Sequence, residues 1–103
     1  MYKKLVRDKI PEIILSKGET PITRVLEDKE YKEELEKKLH EEYLEALEAS
    51  GESRIEELAD MLEVIEALAN VENKALEDVM NVKKIKKEKR GGFKDKIYLE
   101  GVE

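Results

Sequence analysis

Between Asp28 and Val71 the apolar residues recur with the period of an α-helix, and the recurrence is interrupted once, at Gly51. An apolar stripe of that period marks a pair of amphipathic helices, and it constrains the fold more than any other feature of the chain. With Tyr31 set at zero on a wheel of about 100° per residue, Leu35, Leu39, Ala46 and Ala49 fall within about 80° of it. The second segment carries Ile55, Leu58, Ala59, Leu62, Ile65 and Ala69 on one face, and Met61, Val64 and Leu68 nearly opposite. A helix apolar on two sides is buried on two sides. In a chain of 103 residues the second side is expected to meet another subunit. The connection at Gly51 is short, so the two helices are expected to be antiparallel neighbours.

The rest of the chain reads as shorter elements. Asp8 is placed to cap a first helix with Pro11 in its first turn, an apolar face of Ile10, Ile13 and Ile14, and a stop at Gly18. Asp28 is placed to cap the long helix, which runs to about Ser50. Ser53 with Glu56 forms a capping-box pattern for a helix over about Arg54 to Val71. Asn73 is placed to cap a further helix carrying Leu76, Val79, Met80 and Ile85, which Gly91-Gly92 ends. The β-branched stretch 22–26 and the stretch 97–99 are expected to form a minor pair of short strands. The expectation is one all-α domain over residues 1–103, an antiparallel helical bundle completed by dimerisation.

Composition excludes several classes of function. There is no Cys and a single His, His40, so a disulfide, a thiol nucleophile and a two-histidine metal site are all excluded within one chain. No apolar run is long enough to span a membrane, and the N-terminal residues lack the apolar core of a signal peptide, so the expected location is cytoplasmic. The net charge of -6 weighs against general nucleic-acid binding, which needs a basic footprint.

The informative residues are carboxylates in apolar positions. Glu42 falls about 20° from Tyr31, inside the stripe, with Lys38 and Glu45 on its edge. Glu57 lies in line with Met61, Val64 and Leu68, and Asp60 sits at the border of that row. A lone buried carboxylate costs several kcal/mol unless it is paired, hydrogen-bonded or bound to metal. Antiparallel packing can bring Glu42, Glu45, Glu57 and Asp60 together, and such a group attracts a cation. Oxygen donors without His or Cys suit Mg²⁺ or Mn²⁺. A di-iron bundle with Glu-x-x-His pairs does not fit, because Lys37 stands three residues before His40. The competing reading is an ordinary i, i+4 ion pair between Lys38 and Glu42. With twenty-one Glu in the chain, Glu-x-x-Glu spacing alone carries little weight.

The pattern Glu42-x-x-Glu45 followed by Glu57-x-x-Asp60 resembles the all-α nucleotide pyrophosphohydrolase superfamily, which includes MazG-type enzymes, phosphoribosyl-ATP pyrophosphohydrolase and dimeric dUTPases. The string from Lys38 to Glu42 is similar to its first motif helix, and the string from Glu57 to Val64 to its second. The opening Lys4-Leu5-Val6-Arg7-Asp8-Lys9-Ile10-Pro11 and the closing Arg90-Gly91-Gly92-Phe93 resemble small MazG-like, phosphoribosyl-ATP pyrophosphohydrolase-like proteins. The resemblance implies Mg²⁺-dependent hydrolysis of a nucleoside triphosphate between the α and β phosphates, to a nucleoside monophosphate and pyrophosphate. It also implies homodimers, or homotetramers built from them. On this reading Glu42, Glu45, Glu57 and Asp60 hold the metal, and either Glu41 or Glu45 orients or deprotonates the attacking water. Phosphoryl transfer asks mainly for positioning and charge stabilisation, so no nucleophilic side chain is required.

An acidic site also needs cations for the triphosphate. Lys38 shares a face with Glu42. Arg90 closes the basic run 83–90 and leads into two glycines whose N–H groups could approach a phosphate. Arg7 and Lys9 enter through the N-terminal motif alone. The plainer reading of each is solubility or a favourable helix dipole. His40 is expected to be exposed, Tyr31 and Tyr43 to pack at the core edge, and Phe93 to anchor the C-terminal loop in the core. The alternative function is a non-catalytic helical dimer acting as a regulatory or partner-binding module.

Overall fold

A computed structural model describes residues 3–103. The described residues form four helices and no strand: α1 (Ile10–Ser16), α2 (Asp28–Glu48), α3 (Gly51–Val71) and α4 (Leu76–Arg90). The chain is thus all-α. No helix is long and apolar enough to cross a membrane.

Local chemistry explains where the helices stop. α1 carries Pro11 in its first turn, where a missing N–H costs nothing. Its N-cap position is Lys9 and makes no side-chain cap bond, so Asp8 does not cap it. At the other end Gly18 takes φ +85°. The Gly18 N–H then donates to the Leu15 carbonyl at 3.0 Å and the Glu19 N–H to that of Ile14 at 3.3 Å, the paired bonds of a Schellman motif. α3 ends in the same way. Asn73 takes φ 61°, its N–H reaches the Asn70 carbonyl at 2.9 Å, and the Lys74 N–H reaches that of Ala69 at 2.9 Å. Asn73 therefore closes α3 instead of opening α4. Asn tolerates the left-handed region better than other residues with a Cβ. The cap of α4 lies two residues on, where Asp78 Oδ2 accepts the Ala75 N–H at 2.8 Å. Gly91, at φ +81°, ends α4 as expected.

The turn between α2 and α3 is shorter than the capping-box pattern indicates. Only Ala49 and Ser50 are extended, and Gly51, at φ +57°, is already the first residue of α3. Ser53 and Glu56 lie inside the helix. The α2 carbonyls left open by so abrupt an end are met by Arg54, whose Nε donates to the Ala49 carbonyl at 3.0 Å and whose Nη2 reaches that of Leu47 at 3.5 Å. This turn makes α2 and α3 the main helix pair, with α4 packed on α3.

The buried apolar residues are Leu35, Ala46, Val64 and Ala69. Leu35 and Ala46 lie in the predicted α2 stripe, with Tyr31, Leu39 and Ala49 half-buried beside them. On α3 the row containing Glu57 holds buried Val64 with Met61 and Leu68 half-buried, and the opposite face is covered only toward its C-terminal end, at buried Ala69 and half-buried Ile65. The N-terminal part of that face, with Ile55, Leu58 and Leu62, stays open.

Both expected strands are absent. The segments 22–26 and 97–99 are non-helical and unpaired, and Ile22, Val25, Ile97, Tyr98 and Leu99 are exposed. Two short strands without a packed face are too weak to hold a ladder on their own. Arg24 instead pins the first segment to the start of α2, with Nη1 and Nη2 at 3.0 and 2.7 Å from the two Glu30 oxygens. Phe93 is 99% exposed and anchors nothing in this chain. Tyr43 is also exposed and lies 6.1 Å from the His40 ring, which is itself exposed as expected.

Candidate metal centre

The α2–α3 pairing brings carboxylates from both helices to one place. One oxygen each from Glu42, Glu57 and Asp60 lies within 4.8 Å of the other two. Glu42 comes from the buried stripe of α2. Glu57 and Asp60 come from adjacent turns of α3, on the side facing α2. The sequence places Glu42 in this position because α2 keeps its helical period through an acidic residue where an apolar one would pack.

Burial makes the arrangement costly. Glu42 is only 6% exposed, and its Oε2 finds no hydrogen-bond partner. The Oε2 of half-buried Glu57 is likewise enclosed and unpartnered. Desolvation, followed by the neighbouring Glu45 charge, pushes the Glu42 carboxyl up to about 7. Glu57 is raised for the same first reason, with Glu45 adding to it. Glu45 itself is exposed, yet it acts on both buried acids and so stands at the edge of the cluster. Glu41 is half-buried and does not figure among the charges acting on either.

Two cations touch the cluster. Lys38 Nζ lies 3.8 Å from Glu42 Oε1, the i, i+4 pair anticipated from the sequence, at a length that leaves the second oxygen unanswered. Arg7 arrives from far away in sequence. Its Nη2 donates to Asp60 Oδ1 at 2.7 Å, and its Nη1 lies 3.9 Å from Glu63 Oε1. No local pattern links Asp60 or Glu63 to a residue more than fifty positions earlier. Among the described residues no hydrogen bond or ion pair joins Lys9 or Arg90 to the carboxylates. Lys9 precedes α1 and Arg90 ends α4, and both are exposed.

The donor set fits a hard divalent cation. Its atoms are all carboxylate oxygens, they come from two rigid helices, and two of them are enclosed without a protein partner. A structural ion pair would have answered those oxygens with N–H donors.

No family model and no solved structure matches the chain. Over 42 residues it is 52% identical to a protein of Mycolicibacterium smegmatis described as uncharacterized. That stretch takes in 41% of this chain and 43% of the relative, so the match spans less than half of either.

Proposed function

We propose that this chain is a Mg²⁺-dependent nucleoside triphosphate pyrophosphohydrolase of the MazG-like kind. It cleaves between the α and β phosphates and releases a nucleoside monophosphate and pyrophosphate. Its substrate is a house-cleaning target or a phosphoribosyl-ATP-like nucleotide. The observation that carries the reading is Glu42: a carboxylate 6% exposed, with an unanswered oxygen, facing two further acids from the neighbouring helix. A protein that used these helices only for packing would gain stability from Leu at that position.

Glu42, Glu57 and Asp60 hold Mg²⁺ or Mn²⁺, with Glu45 completing the set from the rim. The ion supplies charge neutralisation at the phosphate oxygens and a more acidic attacking water. Glu45 is better placed than Glu41 to orient that water and take its proton, since it lies at the cluster edge and is exposed. Lys38 approaches the same group and offers its ammonium to the phosphate chain. The active unit is a dimer or tetramer, in keeping with the open apolar side of α3.

The test is pyrophosphate release from a panel of canonical, damaged and phosphoribosyl-linked triphosphates, with Mg²⁺ or with chelator. Chelator-sensitive release that Glu42→Gln and Asp60→Asn both abolish is the expected result. A folded oligomer that releases nothing from any of them is instead the non-catalytic helical module.

A further inference from the structure

The Arg7 contact has a feature that substrate binding alone does not explain. Its guanidinium sits on Asp60, one of the three converging carboxylates, and not over open space beside them. The pair joins residues 53 positions apart. α1 packs against none of the other three helices, so Arg7 is the polar tie between the N-terminal segment and α3 among the described residues. Arg7 and Asp60 are both about half exposed, which leaves the bond easy to exchange.

Resting on the metal-centre reading, we propose that Arg7 is the resident counter-cation of Asp60 in the metal-free chain, and that metal loading passes it from Asp60 to the anionic substrate. A carboxylate bonded to a guanidinium gives up part of its charge to that partner, so Arg7 and a divalent cation compete for Asp60. Once released, Arg7 remains at the mouth of the same site on a short tether. Its planar fork matches two phosphate oxygens as well as it matches a carboxylate. The exchange couples three events: the metal enters, the N-terminal segment loosens from α3, and a cation becomes available for the phosphate chain. No covalent step is involved.

Calorimetric titration of the full chain with Mn²⁺ alone tests the competition. Arg7→Gln is expected to bind Mn²⁺ about two- to fivefold more tightly than wild type, the range set by loss of a partly exposed ion pair. Lys4→Gln removes the same charge from an exposed site on the same segment and is expected to leave the affinity unchanged. In the Mg²⁺-loaded chain, inorganic pyrophosphate is expected to bind Arg7→Gln several-fold more weakly. Amide exchange over residues 3–18 is expected to quicken in wild type when Mg²⁺ is added. Arg7→Gln binding Mn²⁺ no more tightly than Lys4→Gln overturns the exchange, as does unchanged pyrophosphate affinity or unchanged exchange over the segment. Wild type that binds no divalent cation overturns the metal centre itself, and the exchange with it.

Discussion

Glu42 governs both the stability and the chemistry of this chain. Its carboxyl titrates near 7 in the fold and near the ordinary 4.5 when unfolded, because burial and the Glu45 charge disfavour ionisation. Between those values the folded chain holds a proton that the unfolded chain has lost. Stability contributed by this group therefore falls as pH rises from about 4.5 to about 7, and stays low above that. Thermal melts in chelator are expected to show that decline, and Glu42→Gln to flatten it while raising the melting temperature at pH 8. A metal ion must displace the same proton, so Mg²⁺ affinity is expected to weaken as pH falls below about 7. Glu42→Gln is expected to lower that affinity by at least about tenfold. A melt of the metal-free chain that does not depend on Glu42 between pH 5 and 8 would show that its burial is not felt.

Among the helices, the ends carry more of the design than the middles. Arg54 reaches back to carbonyls of Ala49 and Leu47, and Asn73 holds the left-handed residue that terminates α3. Arg54→Ala leaves the α2 end without that donor and is expected to cost about 1 kcal/mol. Asn73→Ala places a less tolerant residue at φ 61° and is expected to cost about 1–2 kcal/mol. For a domain of this size each kcal/mol corresponds to about 4–8 °C in melting temperature. Urea denaturation of the two variants checks both values. Asn73→Gly is expected to retain wild-type stability to within a few tenths of a kcal/mol, because glycine accepts the same backbone conformation. Both turns were legible as breaks in the sequence, but their roles were not. Gly51 and Asn73 mark boundaries whichever side the cap lies on; for Gly51 the choice depended on how many residues the α2–α3 turn consumes, and for Asn73 on its left-handed backbone, which closes α3.

The molecule as a whole is more extended than a compact domain of its length. Its radius of gyration is 17.8 Å, against about 13 Å for a compact domain of 100 residues. Ile55, Leu58 and Leu62 on α3, and Val79, Met80, Val82 and Ile85 on α4, are exposed, and no side chain among the described residues is completely enclosed. On the proposed dimeric or tetrameric reading, association adds to the stability of so small a core. Sedimentation at micromolar concentration is expected to give at least a dimer, with a melting temperature that rises with protein concentration. Leu58→Asp with Leu62→Glu is expected to yield a species of lower mass and lower melting temperature. A wild-type monomer that melts identically across a hundredfold range of concentration would remove this account.

Periodicity within the chain was enough to identify the helices, the stripe they share and the acids out of place in it. Those properties depend on residues three or four positions apart, and the backbone geometry of a helix converts such spacing directly into a face. The convergence of Glu42 with Glu57 and Asp60 followed as well, because a short turn leaves two long helices little choice but to lie side by side. Three features were settled only in the folded chain. The Glu57 row came to hold buried Val64 while Ile55, Leu58 and Leu62 on the broader apolar face stayed exposed; the stretches 22–26 and 97–99 stayed unpaired; and Arg7 came to rest on Asp60. Each depends on which distant surfaces meet. A β-branched run forms a strand only where a second edge is presented to it. An arginine finds a carboxylate 53 residues away only after two helices have packed and left that carboxylate short of a partner.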